Sequence, residues 1–214
     1  MPMKNPEYYG HPRREMAAFV PLDAQVMLDI GCGAGAFAAG MKENGRQLEI
    51  WGVEICPEAA KLAAEVMDEI LVGDLASVLP ELPLGRFDCI VLNDVLEHVE
   101  HPDEVLRRIK PLLADGGRVL ASIPNVRYFF NVMDLVVHGR WDYIDEGILD
   151  RTHLRFFTRS SMKKMFRANG YLVESMHGIN PTGSLIFKLM NLLTFGQWSD
   201  MKYLQFAVVA SPRE

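Results

Sequence analysis

Between residues 26 and 123 short apolar runs alternate with segments of helical periodicity. Residues 26–30, 48–53, 69–72, 87–92 and 118–123 read as strands. They are nearly continuous apolar runs, the pattern of strands buried on both faces of a parallel sheet. Residues 37–44, 57–67 and 102–114 read as helices. Gly45 stops the first, Pro57 suits the first turn of the second, and Asp103 and Glu104 open the third, with Gly116 beyond its end. Strand and helix in strict alternation predict an α/β domain with helices on both faces of the sheet.

The rhythm then changes. Residues 124–158 form a long, aromatic connection with a helix predicted over 128–137, read as a lid or substrate-binding insertion. A helix over 160–168 and strands over 171–176 and 203–210 follow. Between those strands lies an amphipathic insertion, 179–200, and residues 1–22 make an N-terminal arm. The whole chain, 1–214, reads as a single domain.

Composition narrows the class. The 214 residues are 49% hydrophobic and 23% charged, as in ordinary globular proteins. A net charge of −6 argues against a nucleic-acid partner, which needs a positive field. Three cysteines without ligand spacing predict neither a disulfide framework nor structural zinc. No apolar leader and no apolar run long enough for a transmembrane segment are visible, so a cytoplasmic location is expected.

The chemistry concentrates where strands end. Asp29-Ile30-Gly31-Cys32-Gly33-Ala34-Gly35 follows a strand and opens a helix. Glycines there let a ligand approach the backbone and the unpaired N–H groups of a helix start. The string also satisfies a dinucleotide fingerprint, GxGxxA, so an NAD(P)-binding oxidoreductase is the rival reading. Glu54, Asp74, Asn93 and Asp94 also stand at strand ends, where open α/β sheets bind ligands.

These segments, with Trp51–Glu54, Gly73–Asp74, the run FDCIVLNDVLEHVEHP from Phe87 and LLADGGR from Leu112, resemble successive motifs of class I S-adenosylmethionine-dependent methyltransferases. The resemblance implies a Rossmann-like, seven-stranded, mostly parallel sheet of order 3-2-1-4-5-7-6, with the 203–210 strand antiparallel. It implies S-adenosyl-L-methionine as cofactor and S-adenosyl-L-homocysteine as product. Asp29, Gly31, Cys32, Gly33 and Gly35 would line the amino-acid end, Glu54 and Ile55 the ribose, Asp74 and Leu75 the adenine, and Asn93 and Asp94 the methionine. Tyr9 and Arg13 resemble an N-terminal clamp on the cofactor carboxylate.

Methyl transfer needs alignment and exclusion of water, and a base if the acceptor is a hydroxyl. His98 in Leu-Glu-His-Val is the first base candidate and His153 the second. Some ubiquinone-pathway O-methyltransferases, whose Leu-Glu-His-Val segment is similar, hold a divalent metal here. This chain has Asp94 where that pattern has glutamate, so a divalent metal held by Asp94, Glu97 and His98 is the lesser expectation and no metal ligand is assigned. The insertion resembles bacterial methyltransferases associated with glycan synthesis. Arg127, Tyr128, Trp141, Arg151 and Arg155 are its substrate-binding candidates, because arginines suit anionic groups. The reading is a methyltransferase acting, as a monomer or homodimer, on the hydroxyl of a sugar, nucleotide-sugar or other anionic small molecule. A non-catalytic cofactor-binding module is the third alternative.

Overall fold

The computed structural model describes residues 10–213. A short helix α1 (Arg14–Ala17) leads into β1 (Val26–Ile30), α2 (Ala36–Glu43), β2 (Glu49–Glu54), α3 (Pro57–Ala63), β3 (Glu69–Val72) and α4 (Leu75–Val78). Then come β4 (Phe87–Asn93), α5 (Pro102–Ile109), β5 (Leu113–Pro124), α6 (Phe129–His138), α7 (Arg159–Ala168), β6 (Tyr171–Pro181), α8 (Leu185–Leu193) and β7 (Tyr203–Pro212). The seven strands form one sheet of order β3-β2-β1-β4-β5-β7-β6, as expected. β1 to β5 pair in parallel, and β7 runs antiparallel between β5 and β6.

Alternation along the strands feeds two cores. On one face Leu28, Ile30, Ile90, Leu92, Val119 and Ile123 pack with Leu106 and Ile109 of α5 and Met162 and Phe166 of α7. On the other, Met27, Ile50, Cys89, Val91 and Leu120 pack with Met16 of α1, Phe37 and Met41 of α2 and Ala63 of α3. Each such buried side chain contributes roughly 1.5–3 kcal/mol. Both faces must be covered, which is why β1 and β4 read as apolar runs rather than alternating ones.

Several boundaries differ from the sequence reading. The helix expected to reach residue 114 ends at Ile109, because Pro111 lacks an N–H and disfavours helix before it; a 3-10 turn, Lys110–Leu112, follows. β5 therefore starts at Leu113, and its Asp115-Gly116-Gly117 stretch is a register shift against Phe87 and Cys89. A Cβ at Gly117 would stand 2.8 Å from the Phe87 carbonyl oxygen. The helix expected over 57–67 stops at Ala63. β6 continues to Pro181, paired with Tyr203, and so absorbs the start of the stretch read as an amphipathic insertion. Its helix is only Leu185–Leu193.

Gly52 in β2 brings α3, β3 and the loop after β1 together. A Cβ there would meet Ile70 Cδ1 at 2.5 Å, Met67 Sδ at 2.6 Å and Cys32 Sγ at 2.8 Å. Gly52→Ala is expected to overpack this junction and lower the unfolding free energy by about 1–3 kcal/mol. In urea the midpoint should fall while the slope of the transition stays constant.

Candidate active site

The loop after β1 is held by the strand beside it. Gly31 N and Cys32 N donate to the Val53 carbonyl at 2.8 and 3.2 Å. The buried Glu54 carboxylate accepts from Gly33 N through Oε2 and from Cys56 N through Oε1, both at 2.8 Å. One side chain thus joins the start of α3 to the glycine loop. Gly31, Gly33 and Gly35 have φ of 73°, 57° and 78°, left-handed values that L side chains rarely adopt. At Gly35 a Cβ would also stand 2.6 Å from Val66 Cγ2.

Around this loop lie buried polar atoms with no hydrogen-bond partner among the described residues: Asp29 Oδ1 and Asn93 Nδ2. Buried polar groups are nearly always paired, so such atoms at strand ends suit a polar ligand. Burial, reinforced by the charge of Glu54, pushes the Asp29 carboxyl up to about 8. Asp74 is exposed and caps α4 by accepting from Ser77 N at 3.1 Å. Gly73 N donates to the Glu54 carbonyl, placing Asp74 next to the end of β2. Ile55 leaves 66% of its surface open there, and Leu75 is half-buried. Cys32 is buried and burial raises its thiol pKa, so it is not a nucleophile.

A second polar group joins the ends of β4, β5 and β7 to the N-terminal segment. Arg13 pairs with Asp94 Oδ2 at 2.8 Å and donates to Ser122 Oγ at 2.6 Å. Gln205 Nε2 and Ser122 Oγ donate to Asp94 Oδ1 at 2.8 and 3.1 Å. Arg13 and Asp94 both take left-handed φ, 44° and 54°. Tyr9 lies outside the described residues.

The turn after β4 meets the insertion. Leu154 N and Arg155 N donate to the Glu97 carbonyl at 2.8 and 3.0 Å, which brings His153 over His98 with ring centroids 4.6 Å apart. His153 Nδ1 donates to the Ile148 carbonyl at 2.9 Å. His98 Nδ1 lies 3.2 Å from the Thr152 carbonyl and 3.1 Å from Thr152 Oγ1, whose proton goes to Asp150 Oδ1 at 2.7 Å. A carbonyl can only accept, so both imidazoles carry a proton on Nδ1, and when neutral keep the lone pair on Nε2. Ligand atoms of Glu97, His98 and His153 all lie within 4.8 Å of one another. Both Glu97 carboxyl oxygens lack a hydrogen-bond partner among the described residues, and burial with the charge of Asp94 pushes that acid well above its usual range. These groups line a pocket of about 90 Å3 with Asp94, Asp150, Ile148, Leu204 and Gln205.

A family model described as a methyltransferase domain matches residues 4–176. A ubiquinone biosynthesis O-methyltransferase of Xanthomonas axonopodis pv. citri is 30% identical over 200 residues, covering 90% of this chain and 79% of that protein. The chain is a class I S-adenosylmethionine-dependent methyltransferase. The enzyme of the same description from Aeromonas salmonicida is 27% identical over 188 residues, covering 83% of this chain and 74% of its own. In fold, the methyltransferase matches a SAM-dependent methyltransferase from Archaeoglobus fulgidus with a TM-score of 0.70 at 17% identity, covering 96% of this chain and 94% of that one. The comparisons favour neither the oxidoreductase nor the non-catalytic reading. No helix of the described residues is long and apolar enough to cross a membrane.

The methyltransferase brings together two sets of the expected residues: the loop with Asp29, Glu54 and Asp74, and Asp94 with the two histidines. It disperses the substrate candidates. Arg127 makes two contacts to Asp200, at 3.0 and 2.8 Å, and Arg151 pairs with Asp145. Arg155 donates to the Glu100 carbonyl, tying the insertion down beside α5. Tyr128 stands at the start of α6 against Phe130, and Trp141 packs on Phe156. Sequence reasoning missed Ser122, Asp150, Thr152 and Gln205. The signal for Ser122 and Gln205 was a polar residue inside an apolar strand run; Asp150 and Thr152 carried none.

Asp29 gives a pH signature. Its acid is protonated in the fold up to about pH 8 but ionises near 3.8 when unfolded. Its contribution is therefore complete below pH 3.8 and is lost as pH rises toward 8. Asp29→Asn, neutral throughout, should gain stability relative to the parent between pH 5 and pH 8, as read by denaturant titration at each pH. A constant difference would show that Asp29 ionises normally.

Proposed function

We propose that the methyltransferase methylates a hydroxyl of a small molecule, bound at the pocket between the turn after β4 and the insertion. The observation that carries this is the histidine pair, which lines that pocket with each Nδ1 facing a backbone carbonyl. An amine acceptor would not need that pair, and the related enzymes bear the name O-methyltransferase. The described pocket lining holds neither lysine nor arginine. The three arginines expected to meet an anion contact Asp200, Asp145 and Glu100 instead. The reading therefore keeps the hydroxyl and favours a neutral acceptor, such as a phenol or sugar, over a nucleotide-sugar or other anion.

S-adenosyl-L-methionine, when bound, supplies a methyl group on a sulfonium, a good leaving group. The residues present fit it: three left-handed glycines leave the backbone open, and Asp29 Oδ1 and Asn93 Nδ2 await polar partners. Asp29 and Asn93 would hold its amino-acid end, Glu54 its ribose, and Asp74 with Ile55 and Leu75 its adenine. Arg13 would orient Asp94 rather than meet the cofactor carboxylate. His98 Nε2 takes the acceptor proton as the base. The Asp150–Thr152 contact fixes its tautomer, and His153 packs against its ring.

Calorimetry tests the cofactor half. Glu54→Ala and Gly33→Arg are each expected to weaken S-adenosylhomocysteine binding at least tenfold, about 1.4 kcal/mol, in protein that still melts cooperatively. Unchanged affinity would remove these residues from the cofactor site. For the chemical half, transfer of labelled methyl is followed on a panel of phenols, catechols, sugars, nucleotide-sugars and amines. His98→Asn should lower kcat on the accepted hydroxyl by about 10²–10⁴ with cofactor affinity intact, and Thr152→Val by a smaller factor. Turnover of amines alone would overturn the reading.

The unpartnered oxygens of Glu97 favour a second reading. Glu97, His98 and His153 would hold a divalent cation, which would supply positive charge to an acceptor oxygen. Activity that survives EDTA leaves the base alone standing. Loss restored by Mg2+ or Zn2+ installs the cation.

A further inference from the structure

Helix α8 is apolar on both sides. Phe187 is buried against Phe129 of α6 and Met201, with Met190 partly buried beside them. On the other side Leu185, Ile186, Leu189, Leu192 and Leu193 recur at helical spacing and are 60–77% exposed. Phe195, just past the helix, is 94% exposed. On the neighbouring α6, Val136 and Val137 are also open. A helix apolar all round is one that expects cover on both sides.

The size of the open face points to a protein partner. Monomers seldom expose contiguous apolar patches beyond about 300–600 Å2. The five α8 residues and Phe195, each 60–94% exposed, present an apolar face on the order of the ~800 Å2 per partner that a stable protein interface covers. The stripe contains no acid and its helix carries one lysine, Lys188, the charge depletion of homodimer interfaces. Leu185, Leu189 and Leu192 stand at i, i+4 and i+7, the ridge by which one helix packs against another. A bilayer fits less well. The surrounding segments carry Asp134, Asp142, Asp145, Glu146 and Asp200 against Arg140 and Lys202, with Lys188 on the helix itself, a balance that an anionic surface would repel.

We propose that α8 is the interface with a second copy of this chain, α8 against α8 about a two-fold axis. The contact is isologous, so each leucine stripe meets its own counterpart. This inference is independent of the acceptor and of the base.

Sedimentation equilibrium over about 1–50 µM tests it on the full chain. The parent is expected at twice the chain mass. Leu189→Lys with Leu192→Lys is expected at the single-chain mass, with S-adenosylhomocysteine affinity unchanged, since both side chains point away from the fold. If that variant aggregates, Leu189→Gln should raise the dissociation constant at least tenfold. A parent that stays at the single-chain mass overturns the proposal. If that monomer floats with phosphatidylcholine vesicles, the face belongs to lipid instead. A double variant that remains dimeric overturns the assignment of α8.

Discussion

The site depends on one buried carboxylate. Glu54 lies at the end of β2, nearly sealed from water, and is satisfied by two backbone N–H groups from different segments. A buried charge is tolerable only when such bonds replace its hydration. The glycine loop must therefore come to Glu54, and it can do so only with left-handed backbone at Gly31, Gly33 and Gly35. The loop's shape and the start of α3 follow from satisfying that acid. Burial, reinforced by the charge of that carboxylate, raises the pKa of Asp29 and leaves a neutral acid beneath the loop.

The other half of the site is assembled from segments far apart in the chain. Asp94 is approached by Arg13, Ser122 and Gln205, from the N-terminal segment, β5 and β7. Inserting β7 antiparallel between β5 and β6 is what brings Gln205 beside Ser122's strand. The insertion after β5 then returns to Glu97 through two backbone hydrogen bonds and sets His153 on His98. The glycine loop and the histidine pocket are thus built by different rules. The first is local to β1 and β2; the second needs the whole right half of the sheet.

Most of the first half was legible. Apolar runs of strand length, glycines at a strand-to-helix turn and acids at successive strand ends each have a local physical cause. Little of the second half was. Arg127, Arg151 and Arg155 looked like anion binders because arginine chemistry is visible in a sequence, whereas Asp200, Asp145 and the Glu100 carbonyl that engage them are not visible as partners. Asp150 and Thr152 looked like loop residues until Thr152 was found between Asp150 and His98. The helix end at Ile109 was misplaced although Pro111 was in plain view, because the apolar residues Leu112 and Leu113 continue the helical pattern into β5.

The sequence by itself determined the α/β architecture, the strand order through family resemblance, and the glycine loop with the acids at the ends of β2 and β3. These rest on hydrophobic periodicity and on backbone conformations that particular residues require, both of which act over a few residues. Only the tertiary structure decided which histidine nitrogens carry a proton, where the arginines go, and that α8 leaves an apolar face open. Those outcomes depend on which groups meet across the sheet, and a contact between residues 98 and 152, or 13 and 94, has no local signature in the chain.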